Sequence, residues 1–141
     1  MNVVAPFEGI GASVRRKEDF RFLQGRGAYT DDFNRQGQLH AWILRSPHAH
    51  ARIKSVDISA AKAMPGVVAV FTGADMVKDG LGGLPCGWQI HNKDGSPMAE
   101  PMHPVIAHDK VRQVGDQVAV AIAETREQAR DAAEAIAVDY D

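Results

Sequence analysis

The stretch from residue 115 to the end leaves this chain few ways to fold. From Gln117 to Ala123 it alternates with β-branched residues, the period-two pattern of a half-buried strand. Thr125 and Gln128 follow at capping-box spacing, so the Thr hydroxyl and the Gln amide can satisfy main-chain groups that a first helical turn leaves unpaired. Ala129, Ala132, Ala133 and Ile136 then fall at i, i+3, i+4 and i+7. A helix whose apolar face is made of such small residues can lie close against a sheet. Residues 137–141 return as a strand, and this strand–helix–strand unit requires a layered α/β arrangement.

The same grammar runs upstream. Residues 38–45 read as a strand in which Leu39, Ala41 and Ile43 alternate with His40, Trp42 and Leu44. Residues 51–58 read as a second strand, with a phase shift at Ser55–Val56 that suggests a bulge. Ser59 is placed to N-cap a short helix over 60–64, which Pro65 and Gly66 end. Val67 to Phe71 are apolar at every position, which predicts an inner strand buried on both faces. Nearer the N-terminus, Phe20 and Leu23 lie three apart and Gln24–Gly25 offers a stop, so a short helix is predicted over 14–23. Between 73 and 104, Gly80, Gly82, Gly83, Pro85, Gly87, Gly95, Pro97, Pro101 and Pro104 read as one long loop and as the contact surface of the domain. After it come short strands at 104–107 and 110–114. The order is β-β-α-β, an insertion, then β-β-β-α-β, which predicts an α+β sheet covered on one face with two or three short helices.

Composition sets the scale. The 141 residues are 45% hydrophobic and 24% charged, enough apolar content for one continuous core. Residues 1–10 carry no periodicity and read as an arm, and 11–141 as a single domain. Sixteen basic against eighteen acidic residues give a net charge of −2 without long single-sign runs, which argues against a nucleic-acid surface. The lone Cys86 cannot form an intramolecular disulfide. With no secretory signal and no apolar run of about 20 residues, the expected location is the cytoplasm.

Residues that might carry chemistry are few. His48 and His50 would share one face of a strand, but a structural zinc normally takes four ligands, and His40, His91, His103 and His108 show no ligand spacing. The pair reads as a polar junction after Ser46–Pro47. Cys86 lies in the run Leu84-Pro-Cys-Gly-Trp88, with no His or Asn placed to activate it, and reads as an ordinary loop thiol. The glycines at 25 and 27, and those at 80, 82 and 83, lack both the dinucleotide fingerprint and the lysine of a phosphate-binding loop. Asp31 and Asp32 fit turn capping better than acid–base work, because neighbours on a strand face opposite ways. No catalytic, cofactor-binding or metal-binding residue is therefore assigned.

Several ordered blocks carry a resemblance. They are Gly9-Ile-Gly-Ala-Ser-Val-Arg-Arg-Lys-Glu-Asp-Phe-Arg-Phe-Leu-Gln-Gly-Arg-Gly-Ala-Tyr-Thr-Asp-Asp32, Leu44-Arg-Ser-Pro-His-Ala-His-Ala-Arg-Ile53, Pro65-Gly-Val-Val-Ala-Val-Phe-Thr-Gly-Ala-Asp75, Gly115-Asp-Gln-Val-Ala-Val120 and Glu124-Thr-Arg-Glu-Gln-Ala-Arg-Asp-Ala-Ala133. Together they resemble the start of the large chain of molybdenum hydroxylases of the xanthine dehydrogenase and aldehyde oxidase family, nearest its aerobic carbon monoxide dehydrogenase-like branch. The resemblance implies a hammerhead-type mixed sheet and a structural role within an oxidoreductase, with the isolated chain inactive. It implies molybdopterin cytosine dinucleotide in the remainder of the large chain, and iron–sulfur clusters and FAD in partner chains or domains. Those chains are the implied partners. One cysteine could not hold a four-thiolate cluster. A stand-alone binding or carrier-like module is the alternative, with Lys62-Ala-Met64 as the nearest match to a modifiable lysine, although it falls on a predicted helix. A cysteine enzyme using Cys86 is a third.

Overall fold

A computed structural model describes residues 9–12 and 16–141. Most of the expected arm, with Val14 and Arg15 of the expected helix, lies outside the described residues. The chain divides into two compact units, residues 1–36 and residues 37–141.

In the first unit, α1 spans Asp19–Leu23 and closes where Gly25, at φ +68°, donates its N–H to the Phe22 carbonyl (3.0 Å). Phe20 and Leu23, the predicted helix pair, both stay exposed. The ring of Phe22 stacks instead on Tyr29, centroids 5.8 Å apart. Gly27 lets them meet, since a Cβ there would sit 3.1 and 3.2 Å from the two rings. A single 3-10 turn, Thr30–Asp32, follows, and Asp32 accepts the Tyr29 N–H at 2.8 Å. This is the capping role expected of the aspartate pair.

The second unit runs β1 (His40–Arg45), β2 (Ala51–Asp57), α2 (Ser59–Lys62), β3 (Val67–Thr72), α3 (Gly73–Lys78), β4 (Gly83–Leu84), β5 (His103–Pro104), β6 (Lys110–Val111), β7 (Gln117–Ala123), α4 (Arg126–Glu134) and β8 (Ala137–Tyr140). The α+β class is as expected. The strands form three antiparallel sheets, ordered β1-β7-β3, β6-β2-β8 and β4-β5.

The C-terminal unit formed as its sequence dictates. Gln128 N–H donates to the Thr125 hydroxyl (3.2 Å) and Thr125 N–H to the Gln128 side chain (3.0 Å). Ala129, Ala132, Ala133 and Ile136 are all buried, and α4 packs against β1, β7 and β3. Here Ala61, Val70, Ala119 and Ala121 meet Ala132, Ala133 and Ile136, with Trp42 and Leu44 along the margin. A smaller cluster, Ala51, Ala107, Val111 and Val118, joins this layer to the β6-β2-β8 sheet. The register of β2 against β8 slips between Ile53 and Ser55, beside the expected bulge.

Several expectations need correction. The strand β3 is an edge, not an inner strand: β7 takes the centre, and Val68 and Phe71 remain 57% and 38% exposed. An unbroken apolar run can serve an inner strand or an edge strand that awaits a partner. Asp57, not Ser59, satisfies the start of α2, accepting the Ser59 N–H at 2.9 Å. The predicted loop 73–104 opens with a helix, α3, because Asp75 accepts both the N–H (2.7 Å) and the hydroxyl (2.9 Å) of Thr72. The expected strands at 104–107 and 110–114 shrink to the short β5 and β6. Beyond β6, Asp116 instead folds 112–116 into a turn by accepting the N–H groups of Arg112 (2.6 Å) and Gln113 (3.2 Å).

Candidate functional site

Two apolar surfaces of the second unit lack cover. On β1-β7-β3, the face away from α4 carries two cross-strand rows, Ala41–Ile122–Ala69 and Ile43–Val120–Phe71. Each holds only apolar side chains, and Ile43 and Phe71, at the two edges, stay exposed. Cross-strand rows of this kind are the unit from which sheet packing is built.

The other surface is the excursion between α3 and β6. The two-residue pair β4-β5 anchors its base. Its tip is held by local bonds: Asn92 N–H to the Ser96 carbonyl (2.7 Å), Met98 N–H to the Ile90 carbonyl (3.1 Å), and Ser96 N–H to the Asp94 carboxylate (3.0 Å). Glu100 accepts the Cys86 N–H at 3.0 Å and also a hydrogen bond from the Gln89 amide. Leu81, Leu84, Trp88, Ile90 and Met102 are all more than half exposed.

Asp57, Asp75 and Asp94 are all held below the ordinary carboxylate pKa. For Asp57 the chief cause is the Ser59 N–H, for Asp75 the Thr72 N–H, and for Asp94 the Ser96 hydroxyl. Each bond favours the charged form, and each marks a turn or helix start.

The residues singled out from sequence do not converge. His48 and His50 lie in the connection between β1 and β2, not on a strand; His48 packs edge-on against Tyr140 at 4.7 Å, and its N–H donates to Ser46 Oγ. The Cys86 thiol is exposed and donates to the Trp88 carbonyl at 3.2 Å. Lys62 is the last residue of α2, not a hairpin tip. Among the described residues, no three His, Cys, Asp or Glu side chains gather as a metal site. The described residues, with Cys86 as their one cysteine, do not supply the ligands of an iron–sulfur cluster.

Sequence reasoning missed a cleft of about 150 Å³ lined by Arg45, His103, Lys110, Arg112, Asp116 and Gln117 among others. Arg45 donates to the Gly115 carbonyl at 2.9 Å, 70 positions along the chain, a meeting that no local pattern announces.

Small antiparallel sheets, a helix packed on alanines and two uncovered apolar rows define an α+β domain. The family model described as the aldehyde oxidase and xanthine dehydrogenase a/b hammerhead domain matches residues 24–141, and the chain belongs to that family. It is 42% identical over 134 residues to the carbon monoxide dehydrogenase large chain of Afipia carboxidovorans, covering 95% of this chain and 15% of that one. Among solved structures, a Cu,Mo-CO dehydrogenase superposes with a TM-score of 0.70 at 41% identity, covering 94% of this chain and 15% of the other. Quinoline 2-oxidoreductase from Pseudomonas putida 86 does so with a TM-score of 0.74 at 42% identity, covering 99% and 17%. The chain thus spans about one sixth of the length of these relatives.

Proposed function

We propose that this chain is the structural N-terminal domain of the large chain of a molybdenum-dependent hydroxylase or dehydrogenase of the xanthine dehydrogenase or carbon monoxide dehydrogenase type, and that it has no catalysis of its own. Residues 11–141 act in this reading as one hammerhead domain, and the partners are the remainder of the large chain together with iron–sulfur and flavin chains. In this reading molybdopterin cytosine dinucleotide would sit in that remainder and supply the redox chemistry, and iron–sulfur clusters and FAD would sit in partner chains or domains. The assembly works in the cytoplasm; no helix of the described residues is long and apolar enough to cross a membrane.

The observation that carries the proposal is the pair of apolar rows on the outer face of β1-β7-β3. Uncovered apolar surface on a small domain marks a site of contact with another surface. The relatives are several times longer than this chain, which covers about 15% of them, and in this reading their remainder supplies that surface.

Metal and flavin analysis of the purified 141-residue chain tests the reading. Molybdenum and flavin are expected at background, with no substrate turnover. Stoichiometric molybdenum bound to this chain alone, or turnover without another chain, would overturn it.

A further inference from the structure

We propose that the cleft between the end of β1, the tip of β5 and the 112–116 turn is an oxyanion site that takes a single carboxylate or phosphate group. The inference stands on the cleft and does not depend on the family reading.

Three cations, Arg45, Lys110 and Arg112, line the cleft with one carboxylate, Asp116. One oxygen of that carboxylate is already committed, since Asp116 Oδ2 accepts the N–H groups of Arg112 and Gln113 that shape the turn. Main-chain carbonyls hold the guanidinium groups: Arg45 donates to Gly115 at 2.9 Å and Arg112 to Lys110 at 3.2 Å. A carbonyl fixes where a guanidinium sits and leaves its charge in place. Among the described residues, neither Arg45 nor Lys110 has a carboxylate within 4.0 Å, and Arg112 reaches only Asp109, at 3.8 Å. Gathered like charges repel, and an anion between them removes that cost. Guanidinium groups with unused donors suit carboxylate and phosphate, whose oxygens accept two N–H bonds side by side.

The walls are fixed before any ligand arrives. Ser46, 2% exposed, donates its N–H to the Asp116 carbonyl and accepts the Gly115 N–H, both at 2.8 Å. On the far side, Ala107 N–H donates to the Gln117 carbonyl at 2.8 Å. Arg45 comes from the strand end beside the first clamp, Lys110 lies on β6 just before the turn that the clamp holds, and Arg112 opens that turn. A cleft of about 150 Å³ has room for a small oxyanion together with water.

The test is an amide NMR titration of the 141-residue chain with inorganic phosphate and, separately, with acetate, at constant ionic strength set by chloride. Saturable shifts are expected at Arg45, Lys110, Gln113 and Gly115. Arg45→Gln and Lys110→Gln should each weaken binding by about tenfold while leaving amide dispersion elsewhere unchanged. Saturation by phosphate alone supports the site and makes its ligand a phosphate group; saturation by acetate as well supports it and points to a carboxylate side chain. Shifts that never saturate, or that persist equally in both variants, overturn it.

Discussion

The pair β7–α4 and the excursion from 79 to 104 are held in opposite ways. In β7, Val118, Ala119, Ala121 and Ala123 are fully buried, and α4 buries three alanines against the sheet. In the excursion Trp88 is 80% exposed, and the order comes from hydrogen bonds rather than burial: the Asp94–Ser96 and Asn92–Pro97 turns, the Glu100 bonds to Cys86 and Gln89, and the short β4-β5 pair. Burial holds the first region from within. Turn chemistry shapes the second and leaves its apolar side chains facing outward, as suits a segment that meets another surface.

The contrast breaks most sharply where a charge enters the first region. Ala121→Asp would bury a carboxylate with no partner between β7 and α4, and a loss of several kcal/mol, seen as loss of cooperative urea unfolding, is expected. A variant that folds normally would show that α4 does not seal this layer. Thr125→Ala, which removes one half of the capping box, is expected to cost about 1 kcal/mol in the same experiment, and Thr125→Ser should restore most of it.

Acid probes the helix α3, where the well-packed sheet passes into the excursion. The Asp75 pKa is lower in the folded chain than its value of 3.8 without structure. Its contribution is therefore complete above that value and disappears as pH falls through the lower folded one. Amide exchange in α3 should accelerate over that window before exchange in β7 does, and Asp75→Asn should remove this pH dependence. Equal acid response in the variant would show that the Thr72 contacts do not hold the helix start.

The smallest effect belongs to the excursion itself. Trp88→Ala should change the stability of the isolated chain by no more than about 0.5 kcal/mol. If the proposed function is correct, the same change should weaken assembly with the rest of the large chain, measured by co-purification. A large loss of stability in the isolated chain would mean that Trp88 belongs to a core after all.

Much of the fold was legible because its signals are local. The alanine face of α4, its capping box, the alternation in β7 and the slip within β2 all depend on residues near one another. The turn role of Asp32 was legible for the same reason. The short helix α3 was not, because Thr72 and Asp75 form an N-terminal cap just where glycine begins to dominate the text. The edge position of β3 was hidden too, since an apolar run looks the same whether a second strand or another domain covers it.

From the sequence alone came the class of fold, the α4 layer and the family resemblance, since each rests on periodicity, capping or ordered blocks that a linear text preserves. Only the tertiary structure decided that β7 lies at the centre, that two apolar rows on one face of its sheet stay uncovered, and that Arg45 meets the 112–116 turn. Those outcomes depend on which distant segments win the same hydrogen bonds and the same apolar area, and that competition is settled in three dimensions.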